Sequence, residues 1–439
     1  MLTPAPQPIK APTRASPLVI YALLALVANL GLANTVYVGV TDDRTETFSI
    51  ASFAINLILI FPVIVASLRS AEVQPFLSTR FLWVYIALFC SLAINFRSNI
   101  RLFACFSFVG LVNLVVWRPG FMAEVFIALV RVALPVGFLL TLYVAGLNAE
   151  FINPTFNYAK TTGDAIRAPM LNPNILAQVL DVTFLLLTIR FTMASRKWER
   201  YLIAPVMVVL ANLIFATVSR GALLQLIATL LVGVWSLRDR HPDTPKLVRA
   251  GLFAFVVVLP LWVFSGLSGA GLASVIRAEF EDRFMTNRDE SVLEARGVTL
   301  EAARQIATQP KTILFGRGAG NGSFTGIENI ELLDRYEEFG SHNSYLDVVA
   351  QYGLPFALTV GMVLLGAARK AWIMIWRTRA GFLVLYLFCA GVHAFFEDYF
   401  FFRFGVGCDL VRLSLLAFLV HLSFCNQVER ENLIRRLST

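Results

Sequence analysis

The residues best suited to chemistry begin at Gly340-Ser341-His342-Asn343-Ser344-Tyr345-Leu346-Asp347, which closes a long polar segment and opens a strongly apolar one. An imidazole titrates near neutral pH, so His342 can take or give a proton at that junction. Ser219-Arg220-Gly221 interrupts another apolar stretch. The hairpin there is so short that Arg220 must sit at or just below a membrane face, where an arginine is costly unless paired or hydrated. Gly221 permits a tight turn and the close approach of a ligand. Asn172-Pro173-Asn174 opens a further apolar run and offers amide donors where a helix N-terminus favours anions. Together these groups suit transfer from a lipid-linked phosphate. Arginines neutralise and orient phosphate through paired donors, and a nearby imidazole can deprotonate an incoming hydroxyl.

Each residue also has a structural reading. His342 can simply start a helix. Arg220 can anchor a span by reaching toward water, and Asn172-Pro173-Asn174 can be a helix cap with proline in the first turn. Asp181, Arg131 and Arg412 fall inside apolar runs, where charges mark functional sites or pair with one another; both readings stay open. His241 lies in a basic loop. His393 and His421 lie in late apolar runs and read as core or interface imidazoles. The five cysteines have no metal-ligand spacing and read as small packing residues. No Asp-x-Asp or Asp/His cluster appears on the outer face, so nothing in the pattern calls for a metal, and no cofactor is expected.

The elements that position these residues are membrane helices. Hydrophobic residues make up 57% of the 439, and charged residues 15%. Apolar runs of about 20 residues, the length needed to cross a hydrocarbon core of roughly 30 Å, recur along nearly the whole chain. The fold class expected is all-α and polytopic. About twelve spans are predicted, near Pro17–Val40, Ser49–Leu68, Phe81–Ile94, Leu102–Trp117, Phe121–Leu147, Asn174–Thr192, Tyr201–Val218, Ala222–Leu237, Ala250–Leu267, Asn343–Ala367, Ala380–Phe396 and Phe404–Phe424.

The organisation expected is nine spans in 1–267, a helical outer loop domain in 268–342, three spans in 343–424 and a tail in 425–439. The N-terminal stretch Met1–Ser16 reads as a cytoplasmic tail without a cleavage site. Placing the N-terminus inside puts the clusters Arg190/Arg196/Lys197/Arg200, Arg238/Arg240/Lys246/Arg249 and Arg369/Lys370/Arg377/Arg379 on the cytoplasmic side, with Arg430, Arg435 and Arg436 of the tail. Lysine and arginine are then in about three-fold excess inside, as the positive-inside rule requires. In the outer loop Leu272, Ile276, Phe280 and Phe284 recur at four-residue spacing, the mark of an amphipathic helix. Ser291–Thr308 reads as a second helix, Gly316–Gly322 as a flexible turn and Glu328–Glu338 as a third helix.

In order and placement, Ser219-Arg220-Gly221, Arg296 before the glycine-rich turn from Gly316 to Phe324, and His342-Asn343-Ser344-Tyr345-Leu346 followed by Gln351-Tyr352-Gly353-Leu354-Pro355 resemble the bacterial O-antigen ligase and polymerase family. The resemblance covers roughly Asn172 to Phe356. It implies a multi-spanning, GT-C-like glycosyltransferase of the inner membrane with a periplasmic active site. Its donor would be polysaccharide on undecaprenyl pyrophosphate and its acceptor the lipid A core oligosaccharide. The family's two arginines carry over to Arg220 and Arg296, and its histidine to His342. Many members have tryptophan four residues after the second arginine; here that position is Leu300, and Arg288 is the alternative arginine. Asn343, Asn172 and Asn174 are expected helpers in orienting substrate.

A ligase is preferred to a polymerase because one large outer loop ends in histidine, where polymerases tend to have two. Protein oligosaccharyltransferases share the core but usually add a C-terminal soluble domain, and this chain stops soon after its last span. The rival of another class is a lipid-linked sugar transporter or flippase. Its expected inverted repeat of broken helices is not evident in the sequence. No nucleic-acid partner is expected.

Overall fold

A computed structural model of the protein describes residues 111–112, 114–115, 118–147, 173–217, 219–240, 304–305, 308–316, 343–378, 380–394 and 406–438. The helices among them are α1 (Pro119–Leu147), α2 (Pro173–Met193), α3 (Lys197–Ala216), α4 (Arg220–Arg240), α5 (Pro310–Phe315), α6 (Ser344–Tyr352), α7 (Leu354–Trp372), α8 (Met374–Arg377), α9 (Leu383–His393), α10 (Val406–Phe424) and α11 (Gln427–Ser438). No strand occurs among the described residues. The first three expected spans, the one at Ala250–Leu267 and most of the outer loop lie outside them.

Among the described residues four segments, Pro119–Val144, Leu176–Met193, Lys197–Phe215 and Leu354–Arg377, are long and apolar enough to cross a membrane. α2 is the hub. It packs against α1, α3 and α4, and more lightly against α10 and α11. A helix enclosed on all sides must be apolar all round, and Leu176, Leu180, Phe184, Leu187 and Ile189 are all buried. Its buried threonines spend their hydroxyls on the helix's own carbonyls, Thr183 on Val179 and Thr188 on Phe184, each at 2.8 Å. Two glycines let neighbours approach closely. A Cβ at Gly137 of α1 would lie 2.9 Å from the Leu187 side chain, and one at Gly233 of α4 would lie 2.9 Å from that of Thr188. Small residues at such crossings substitute for a hydrophobic drive that lipid does not supply.

On the other side of α1 lies α10, its principal neighbour. Phe126 and Phe418 meet there with ring centroids 5.2 Å apart, tilted at 43°. The outward faces of α1, α3, α4 and α7 carry exposed Leu139, Val208, Leu231 and Leu365, as lipid-facing helices require.

Contacts between helix ends set the directions. Arg436 of α11 forks onto Glu124 near the start of α1, with Nη1 2.6 Å from Oε1. Lys370 near the end of α7 sits 3.9 Å over the ring of Phe424 at the end of α10. At the opposite end, the Cys408 thiol near the start of α10 lies 3.8 Å from the Gln178 carbonyl near the start of α2. One end of the bundle therefore gathers Arg190, Arg196, Lys197, Arg200, Arg369, Lys370, Arg377, Arg430, Arg435 and Arg436 and is strongly basic. Exposed Trp198, Tyr201, Trp372 and Trp376 lie at the same end, the position of an interfacial aromatic belt.

The expected single span over Asn343–Ala367 is two helices. Gly353 between α6 and α7 has φ +84° and ψ 157°, a region open essentially to glycine alone. The chain turns there, and Pro355 then starts α7 in the first-turn position that proline tolerates. α5 of the outer loop packs into this corner. A Cβ at Gly353 would stand 2.8 Å from the Leu314 carbonyl oxygen. Gly316, which ends α5, also has positive φ, at 68°.

The tail is likewise a helix. Asn426 and Glu429 cap its start reciprocally: the Glu429 amide donates to Asn426 Oδ1 at 2.9 Å and the Asn426 amide to Glu429 Oε2 at 3.1 Å.

Candidate functional site

The candidate site belongs to the end of the bundle opposite the basic one, where α2, α4, α6, α7 and α10 all begin. Helix N-termini present free amides and a partial positive charge, so this end is electrostatically suited to an anionic group. Three sequence-derived candidates reach it through described backbone. Arg220 is the first residue of α4, Asn174 lies in the first turn of α2, and Asn343 precedes α6. His342, Arg296, Arg288 and Asn172 lie outside the described residues.

The turn before Arg220 is as short as its sequence implies. α3 ends at Ala216 and α4 starts at Arg220. Thr217 donates its hydroxyl to the Ile214 carbonyl at 2.6 Å, and the Ser219 carbonyl accepts the Leu223 amide at 3.0 Å to open α4. Thr217 and Ser219 are buried. This turn carries no slack, so Arg220 is held at the rim by its backbone.

Asn343 has a defined local role. Its Oδ1 accepts the amides of Tyr345 and Leu346, each at 3.1 Å. That is an N-cap, satisfying two amides that the first turn of α6 would otherwise leave open. His342 is thus covalently joined to a capped, fixed helix start. One turn on, the Tyr345 hydroxyl donates to the Gly391 carbonyl at 2.9 Å. This joins α6 to the last turn of α9, the turn that also contains His393. Burial pushes the Tyr345 phenol above its ordinary value, so it keeps the donated proton through mildly alkaline pH. Neither the Tyr345 tether nor the Gly353 corner was read from the sequence as a site feature. The Gly-Leu-Pro run after Tyr352 was the available signal, since glycine followed by proline punctuates helices.

Of the three charges expected deep in spans, Arg131 is exposed and donates Nη2 to the Arg436 carbonyl at 3.2 Å. It fastens the tail helix at the basic end. Arg412 is buried and lies 3.8 Å from Asp409 in its own helix. Asp181 is buried at 2% exposure, and its Oδ2 has no hydrogen-bond partner among the described residues. Among the described residues no group of three His, Cys, Asp or Glu side chains is placed to hold a metal ion.

Helices of this length and composition, with a basic end ringed by aromatics, define a multi-spanning α-helical membrane protein. Residues 205–358, from α3 through the corner at Gly353, match the family profile described as O-antigen ligase. That match takes in about a third of the chain, and this segment is similar to the O-antigen ligase family domain. The match supports, broadly, a function of O-antigen ligase or polymerase type. No curated protein matches the chain. One chain from a solved structure described as "Structural coordination of polymerization and crosslinking by a peptidoglycan synthase complex" aligns with a TM-score of 0.38 at 14% identity, covering 80% of this chain and 99% of that one.

Proposed function

We propose that the protein is an O-antigen ligase that moves polysaccharide from undecaprenyl pyrophosphate to a sugar hydroxyl of the lipid A core oligosaccharide, on the periplasmic face of the inner membrane. His342 takes the proton of the acceptor hydroxyl. The acceptor oxygen forms a bond to the anomeric carbon of the donor sugar as the bond from that carbon to the pyrophosphate oxygen breaks on the opposite face, so configuration inverts. Arg220 and Arg296 hold the departing lipid pyrophosphate and neutralise the charge that develops on it, with Arg288 as the alternative to Arg296. Asn172, Asn174 and Asn343 orient substrate around them. In this reading the basic end faces the cytoplasm together with both termini.

The observation that carries the reading is the family match over 205–358. It spans both the hairpin that begins α4 at Arg220 and the capped start of α6 next to His342. The experiment is complementation of a ligase-null strain. His342→Ala and Arg220→Ala are each expected to lower polysaccharide-capped lipopolysaccharide on the order of a hundredfold or more, the usual contribution of a positioned base or charge-stabilising donor. Capping at the parent level in either variant would refute the assignment. Purified protein supplied with donor and acceptor and no ion gradient is expected to form the new glycosidic bond. A transporter would yield none.

A further inference from the structure

Among the described residues, one hydrogen bond at the start of α6 reaches a distant element. α6 has nine residues, Ser344–Tyr352. Its main neighbours are α5 and α7, and the Gly353 corner fixes its C-terminal end against Leu314. Its N-terminal end is capped internally by Asn343. A cap orders a helix's first turn but does not say where that turn lies relative to its neighbours. The Tyr345 hydroxyl supplies that reference through its 2.9 Å bond to the Gly391 carbonyl, across 46 residues of chain. Gly391 lies in the last turn of α9, where carbonyls have no intrahelical amide to accept from. The tyrosine is only half-buried and reaches 38% exposure, so its ring is not a principal part of the core.

We infer that Tyr345 is a positioning residue for the transfer. Through Gly391 it sets the start of α6, which follows His342 directly in the chain, against α9. The inference rests on the reading of His342 as the base. His342 is three residues from Tyr345, within roughly 10 Å of extended chain, and a displacement of about 1 Å in a reacting group costs up to a hundredfold in rate. The hydrogen bond thus acts on catalysis without touching substrate.

The test uses the full chain, purified in lipid nanodiscs, with lipid-linked donor and lipid A core acceptor. Tyr345→Phe is expected to lower kcat on the order of tenfold to a hundredfold, with KM for donor and acceptor within about twofold and an unchanged unfolding midpoint. Replacing Tyr345 by 4-aminophenylalanine, which keeps a donor at the para position, is expected to restore kcat. 4-Methylphenylalanine, similar in reach but unable to donate, is expected to behave like the Phe variant, and this pair decides the question if Phe alone does not fold.

Parent kcat in Tyr345→Phe beside an inactive His342→Ala would overturn the positioning role and leave the ligase reading standing. A fall in kcat shared equally by the amino and methyl analogues would also overturn it. A fully active His342→Ala would sink both.

Discussion

Asn343 shows how one side chain can answer two readings of a sequence. As a residue beside His342 it was expected to orient substrate. The structure commits its oxygen to the amides of Tyr345 and Leu346. Removing that acceptor should cost about 1 kcal/mol, the usual worth of an N-cap. Asn343→Ala is therefore expected to lower the unfolding midpoint of the purified protein, while Asn343→Asp, which keeps the acceptor and adds a charge favourable at a helix start, should not. Equal midpoints for Ala and parent would show that the cap carries no stability. If Asp preserves the midpoint and abolishes transfer, the amide nitrogen has a separate duty toward substrate. Arg131 makes the complementary point. Its position in an apolar run suggested a membrane-interior charge; it lies within the candidate span Pro119–Val144, and its side chain reaches the tail through the Arg436 carbonyl.

At the scale of elements, the decisive feature is the break at Gly353. Hydropathy alone joins α6 and α7, because both are apolar and one residue separates them. The break is made by a backbone conformation at φ +84°, and it frees α6 to be placed independently of the span. Gly353→Ala carries two costs. The conformation is strained for any residue with a Cβ, by about 1–3 kcal/mol. The Cβ would also stand 2.8 Å from the Leu314 carbonyl oxygen, backbone that cannot swing aside. The expected result is a clear loss of thermal stability together with loss of transfer, seen in the unfolding midpoint and in lipopolysaccharide profiles. A variant indistinguishable from parent would mean the corner is not rigid. Gly361, whose added Cβ would meet nothing within 4 Å, is the matched control and should tolerate alanine. The α3–α4 turn behaved differently: its boundaries were legible because Ser219-Arg220-Gly221 is a polar interruption between long apolar runs, and three residues cannot make anything but a tight reversal.

Over the whole molecule, charge is sorted by depth and by end. Among the described residues the basic end collects the arginine and lysine clusters of two separate turns and of α11, while the interior between α2 and α10 contains the buried Asp181, Asp409 and Arg412. Arg412→Met would leave two carboxylates buried without their neighbouring cation. Removing one member of a buried ionic group typically costs about 3–5 kcal/mol. Arg412→Met is expected to destabilise the purified protein by that order, and Arg412→Met combined with Asp409→Asn to recover part of the loss. No recovery in the double variant would show that Arg412 acts on something other than Asp409.

Sequence alone determined that the chain is a bundle of membrane helices, because bilayer thickness imposes a length and an apolar composition that few other folds share. It also placed the tight turn at Arg220 and the polar-to-apolar junction at His342, since both are abrupt changes along the chain. Tertiary structure decided the rest. Burial of Asp181 beside α10, the docking of α5 against Gly353, the fastening of α11 to α1 and the bond from Tyr345 to Gly391 all join residues distant in the chain. Hydropathy measures one helix against solvent and is silent about which helix stands next to it, so these pairings had no trace in the order of residues.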